Sequence, residues 1–251
     1  ACICLYFGIV TALLLGLTLF GMHGAALALL LGFGFVGVQL TAFCFGLAAV
    51  GLTCLMGKGG SRASMILSGI MMGSLFSALV SLVKFTADTE SQLPAITYWL
   101  MGSLSSIKVR DVQFLCIPFV VGFLPLCILC WRMNLLTVGD EEARAMGVNT
   151  TRLRLIVVIC ATLLTASSVA VSGMIGWVGL VIPHFCRMIF GYDYRRLVPA
   201  SALFGAAFLI VVDDVARLAT TAEIPLGILT AFVGAPIFIY LVLTGGGNRA
   251  D

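Results

Sequence analysis

Charge is what this chain has least of. Across 251 residues, Asp, Glu, Lys and Arg together make up 10%, against about a quarter in soluble domains. A soluble fold of this length still exposes most of its surface to water, and 14 basic and 11 acidic residues cannot cover it. Histidine is scarcer: His23 and His184 are the two present, far apart in sequence. No HExxH zinc helix is therefore possible, and a serine–histidine intramembrane protease would have to bring one of them to an activated serine that no motif supplies. No GxxxxGK[ST] loop is present, so the chain carries no phosphate cradle of that type. The net charge of +3 is spread over short loops and forms no basic stripe, which argues against nucleic acid. No basic stretch precedes the opening run ACICLYFGIVTALLLGLTLF, so that run does not read as a signal peptide.

What is abundant points to lipid as the solvent. Hydrophobic residues make up 61% of the chain, and the mean hydropathy is +1.16. The 28 glycines suit membrane helices that approach closely. Most of the nine cysteines, such as Cys44, Cys54, Cys116 and Cys160, lie in apolar runs where a thiol acts as a small hydrophobe. Cys127 and Cys130 form a CxxC, but ICILCW places it inside a span and no second pair completes a metal site.

Windows of about 20 apolar residues, the length that crosses a ~30 Å hydrocarbon core, fall near 2–20, 36–56, 65–84, 112–131, 155–173, 199–219 and 226–244. Two shorter pieces, 21–34 and 177–190, are broken by Gly or Pro and read as short spans or re-entrant segments. The expectation is an all-α membrane protein, a polytopic transmembrane helix bundle forming a single transmembrane domain over 1–251 with about eight or nine crossings. Lys58 and Arg62, then Arg132, Arg144, Arg152 and Arg154, then Arg195 and Arg196, mark three loops as cytoplasmic. Asp88, Glu90 and Glu223 then fall outside, as do Lys108 and Arg110, against the rule.

The loop over 132–154 reads as structured. Thr137 to Asp140 offer a helix start, Asp140, Glu141 and Glu142 suit the positive end of its dipole, and Gly147 stands where a C′ glycine would end it. Asn149, Thr150 and Thr151 offer caps for the following span. A helix of about two turns is not stable alone in water, so it needs a packing partner. Val138, Ala143 and Met146 form its apolar set. Within a span, Asp213, Asp214 and Arg217 stand at helical spacing, which fits either a self-neutralising pair near the outer end or a docking or substrate contact.

GDEEARAMGV (139–148), SGMIGWVGLVIPHFCRMIFGYDYRRLVPASA (172–202), VDDVAR (212–217) and AEIPLGILTAFVGAPIFIYLVL (222–243) resemble, in order and spacing, the FecCD family of ABC-importer permeases. ILSGIMMGSLFSALVSL (66–82) and YWLMGSL (98–104) fit the same family. Its members move ferric siderophores, haem, cobalamin and, in some cases, molybdate. The family's protomer has ten helices, and its early RLPR-type and NPLA-type stretches have no counterpart here, so the expectation is that part of the N-terminal region is missing or divergent.

The resemblance implies a homodimer enclosing one pathway, two cytoplasmic ABC ATPase subunits that use the ATP and Mg²⁺, and an extracytoplasmic binding protein. The chain itself would bind no cofactor and would be a transport subunit, with ATP hydrolysis residing in its partner. By the same resemblance, Gly139, Asp140, Glu141, Glu142, Ala143, Arg144, Ala145, Met146, Gly147 and Val148 form the ATPase-coupling helix. Gly57, Lys58, Gly59, Gly60, Ser61 and Arg62 match the region near the cytoplasmic gate. Ser68, Met72, Ser77, Leu229 and Val233 lie on helices that line the pathway, and Arg217 matches an arginine that docks the binding protein. The resemblance ranks ferric siderophores first as cargo, with haem, molybdate and cobalamin behind.

The rival class is an ion-coupled secondary transporter, for which intramembrane charges and inverted repeats would be the signature. No internal repeat is visible, and only one charged cluster lies within a span. Loop charge makes one prediction. With the native cysteines removed, Cys at position 144 reacts with an impermeant thiol reagent only after the cells are opened, and labelling of intact cells from outside would overturn the orientation.

Overall fold

The structure is a computed structural model that describes residues 21–56, 62–105, 107–219 and 224–245. Among the described residues every regular element is a helix. They run α1 (Gly21–Leu30), then α2 (Phe35–Met56), α3 (Arg62–Thr86), α4 (Gln92–Met101), α5 (Val109–Val138), α6 (Asp140–Ala145), α7 (Thr150–Ser172), α8 (Val178–Phe190), α9 (Tyr194–Ala219) and α10 (Leu226–Gly245). In hydrocarbon only a helix satisfies its own backbone groups segment by segment. Among the described residues four helices, the Leu67–Thr86 part of α3 with α5, α7 and α9, are long and apolar enough to cross a membrane. The expected span over 2–20 lies outside the described residues.

Two elements are shorter than a full span, the first as the hydropathy reading expects and the second outside it. The piece 177–190 is a helix of 13 residues, about 20 Å long, which is short of the hydrocarbon thickness. The second, α4, has 10 residues and escapes a 20-residue window altogether. Prolines sit inside α5 (Pro118, Pro125), α8 (Pro183), α9 (Pro199) and α10 (Pro236), as membrane helices tolerate where neighbours meet the freed carbonyls.

The described residues fall into two compact units, one within Ala1–Leu100 and Ile107–Gly173, the other within Met101–Ser106 and Met174–Asp251. In the first, α7 packs along α5 and α2. Ala25, Ala28, Val38, Ala42 and Ala170 form a buried cluster of mostly small side chains from α1, α2 and α7, which lets the backbones close in where apolar burial alone gives little preference over lipid. Gly122 of α5 lies against Leu164 and the Cys160 carbonyl of α7, and a Cβ there would stand 2.8 Å from Leu164 Cγ.

Polar ties hold the ends of this unit. Asp111, 4% exposed, accepts from Gln39 Nε2 of α2 at 3.1 Å and from the Lys108 amide at 2.8 Å, so a buried carboxylate both opens α5 and staples it to α2. Gln92 accepts from the Asp88 amide and donates to the Leu30 carbonyl, tying the α3–α4 turn to the end of α1. The Ser91 hydroxyl, and after it the Ser91 amide, donate to Asp88 in that exposed turn and hold its carboxyl below the ordinary value.

In the second unit α8 and α9 pair through Ile182, Cys186 and Leu197, with Val178, Tyr194, Ala200 and Phe208 around them. Beyond the start of α8, the last turns of α9 are covered by α10 together with non-helical chain: Leu226 and Leu229 of α10, with Leu104 and Ile175, pack on Val212 and Ala216. These segments come into backbone contact. The Leu226 amide donates to the Gly102 carbonyl at 2.9 Å, and a Cβ on Gly227 would meet the Met101 carbonyl oxygen, so no larger residue fits without moving backbone.

The Asp111 staple generates a prediction. Asp111→Ala strands the Gln39 amide and the Lys108 N–H in a buried setting and lowers stability by about 1–3 kcal/mol. Asp111→Asn keeps one acceptor and costs less. Thermal unfolding of the detergent-purified chain measures both, and an unchanged midpoint for the alanine variant would show that the staple contributes nothing.

Candidate coupling and docking sites

The length of α5 sets where the loop after it stands. Its 30 residues span about 45 Å, roughly 15 Å more than the hydrocarbon core. Trp131 is 53% exposed and is followed by Arg132, the aromatic-then-basic order of a membrane–water boundary. The helix continues beyond that point to Val138. Thr137, expected to open the next helix, lies inside α5 with its hydroxyl on the Asn134 carbonyl at 2.6 Å, because MNLLTV contains nothing that breaks a helix already propagating. Only Gly139 separates α5 from α6.

The second helix, α6, has six residues and owes its form to its ends. Gly147 takes φ +80°, its amide bonds the Arg144 carbonyl at 2.9 Å and the Val148 amide the Ala143 carbonyl at 3.0 Å. That pair of bonds is a Schellman closure, in which a residue with a side chain would be strained at Gly147. Glu142 folds back against Gly139, placing its charge at the positive end of the helix. Asn149 Oδ1 accepts from the Arg152 amide at 3.0 Å and caps α7.

The three apolar residues of this region divide between two roles. Ala143 is fully buried, at 0% exposure, where α6 packs on α5 and α7, so it anchors the helix and does not face a partner. Val138 and Met146 are open. Arg144 Nε donates to Thr150 Oγ1 at 3.2 Å, and Thr150 is buried. The sequence reading gave Arg144 to the coupling helix and Thr150 to a cap without joining them, since a spacing of six is not a helical repeat.

Arg217 pairs with Asp213 through Nε and Oδ2 at 2.8 Å, with both side chains partly exposed, while Asp214 points to the exposed surface of α9. Of the other singled-out residues, Ser68 and Met72 are buried. Ser77 and Val233 are exposed, and Leu229 packs beside the Val212, Ala216 and Leu226 cluster. Gly57 to Ser61 lie outside the described residues, as do Thr220 to Glu223; Arg62 is the first residue of α3. The CxxC is inside α5, with Cys127 exposed and Cys130 buried. The Asp111–Gln39 pair escaped the sequence reading. Its one signal was an acid three residues into a helix start, and nothing in an apolar run announces which glutamine will meet it.

Comparison with known proteins places this architecture. Residues 8–244 match the FecCD transport family. The molybdate import system permease protein MolB of Haemophilus influenzae is 40% identical over 242 residues, covering 94% of this chain and 72% of that protein. A probable iron chelatin transport system permease protein of Helicobacter pylori is 37% identical over 236 residues, covering 93% of this chain and 72% of that one. A solved structure described as an inward-facing conformation of a metal-chelate type ABC transporter superposes with a TM-score of 0.89 at 40% identity, over 96% of this chain and 80% of that one. PsaBC from Streptococcus pneumoniae, at 17% identity and a TM-score of 0.59 over 97% of this chain and 87% of that one, shares the fold. With a family match over nearly its whole length and apolar helices long enough to cross a bilayer, the chain belongs to the FecCD transport family and is a multi-pass ABC-importer permease of a prokaryotic inner membrane.

Proposed function

We propose that this chain is the membrane-spanning half-channel of a binding-protein-dependent importer of metal chelates, working as a homodimer on two cytoplasmic ATPase subunits that bind and hydrolyse ATP with Mg²⁺. The observation that carries the reading is α6: a six-residue helix set at the end of a span too long for the bilayer, joined to α5 by one residue and to α7 by a tight closure. Neither junction has slack. A displacement of α6 by a partner is therefore passed to α5 and α7 as movement, and Val138 and Met146 are the open apolar contacts through which an ATPase can grip it.

The cargo is proposed to be a ferric siderophore, with haem, molybdate and cobalamin as the other candidates. Relatives named for molybdate and for iron chelatin stand at 40% and 37% identity, so overall identity supports a metal-containing cargo and does not separate one from another. Arg217, on the outer part of α9 and partly exposed beside Asp213, is proposed to meet an acidic residue of the binding protein.

In vesicles, uptake requires ATP and the binding protein and persists when ion gradients are collapsed; uptake driven by a proton or sodium gradient alone would establish a secondary transporter instead. In the same assay Gly147→Val forces a β-branched residue into φ > 0, at roughly 1–2 kcal/mol, and uncouples transport from ATP hydrolysis while the binding protein still docks. Wild-type uptake by this variant at equal expression would remove α6 from the coupling role.

Arg217→Glu gives a separate test. An exposed i,i+4 pair contributes only about 0.3–0.5 kcal/mol, so the complex assembles and binding-protein affinity falls. Failure of assembly would assign Arg217 a structural pairing and no docking role.

A further inference from the structure

A shallow cleft of about 400 Å³ opens between α6 and the start of α7, lined by Arg144, Gly147, Val148, Asn149, Thr150 and Thr151. Its lining holds one cation and no acid. Arg144 is positioned from below, since Thr150, 2% exposed, accepts from its Nε at 3.2 Å. The four Nη hydrogens meet no carboxylate among the described residues. The one neighbouring acid on α6 whose placement is fixed by a close contact, Glu142, is turned the other way, onto Gly139. The glycine at 147 leaves the rim low, with nothing within 4 Å of where its Cβ would stand. A guanidinium held at Nε and open at Nη presents the planar fork that carboxylates fill with two parallel hydrogen bonds.

We propose that this cleft receives an aspartate or glutamate side chain of the ATPase subunit, gripped by Arg144, while Val138 and Met146 supply the apolar part of the same contact. The inference rests on the coupling role proposed for α6 and adds the charge that makes the contact selective: an ATPase without an acid at that point would leave the Arg144 guanidinium unpaired on docking, which discriminates between partners more than it adds affinity. Phosphate on a lipid headgroup would satisfy the same fork, and the test separates the two.

The experiment titrates the purified ATPase subunit against the full-length permease in phosphatidylcholine nanodiscs. Arg144→Gln weakens association roughly tenfold to a hundredfold, the loss expected for a charge-assisted hydrogen bond. Arg144→Lys recovers part of it, and Thr150→Val, which frees the guanidinium without removing its charge, loses less than Arg144→Gln. Arg144→Glu abolishes binding, and replacing a single acidic residue of the ATPase surface by Lys restores it.

If Met146→Asp weakens binding but Arg144→Gln does not, the cleft assignment is overturned and the coupling role of α6 stands; if neither variant weakens binding, the coupling role itself falls. A loss with Arg144→Gln that appears only when the nanodiscs contain phosphatidylglycerol assigns the cleft to a lipid phosphate and overturns the proposal. So does the failure of every acid-to-Lys replacement to restore Arg144→Glu.

Discussion

Hydrocarbon offers no hydrogen bonds, and that constraint governs everything else in this chain. It makes the described elements helical, and it dictates where the chain is allowed to stop being helical. Non-helical backbone alongside the last turns of α9, at Gly102 to Ser105 and Met174 to Gly176, is tied to protein: Leu104 and Ile175 pack into the Val212, Ala216 and Leu226 cluster, the Gly102 carbonyl accepts from the Leu226 amide, and the Ser103 and Ser105 hydroxyls bond one another at 2.9 Å. The glycine at 227 makes this possible, because only hydrogen fits between α10 and the Met101 carbonyl.

The same constraint explains the polar residues that are buried. A carboxylate such as Asp111 is costly in an apolar setting unless its lone pairs are taken up, and here a backbone amide and the Gln39 side chain do so. Serine and threonine hydroxyls within spans turn back to carbonyls of their own helix, as Thr162 does to Val158 and Thr165 to Ala161. Such groups close locally and leave little polar surface along the spans to recognise a ligand.

Where α5 leaves the bilayer the rules change, because water satisfies whatever protein does not. There α6 survives at six residues by its end closures and by burying Ala143. The acids that the helix dipole favours are at its start, and its one arginine is left for use elsewhere. Rigidity at both junctions is what the proposed coupling role requires, since a flexible linker would absorb the displacement. The site is thus a consequence of length and termini: a span roughly ten residues longer than the membrane requires, followed by a glycine at each point where the chain must turn.

Composition and hydropathy by themselves determined the helical membrane class and the positions of α2, α3, α5, α7, α9 and α10, because transfer of an apolar side chain to lipid is a local property that adds along the chain. Local chemistry also determined the cap at Asn149 and the closure at Gly147, each decided within a few residues. The tertiary structure alone decided that Ala143 faces inward, that Asp111 finds Gln39, that Thr150 steadies Arg144, and that Gln92–Met101 forms the separate short helix α4. Those outcomes depend on which helices pack together, and in a chain where nearly every face is apolar, periodicity does not tell the lipid-facing side from the protein-facing one.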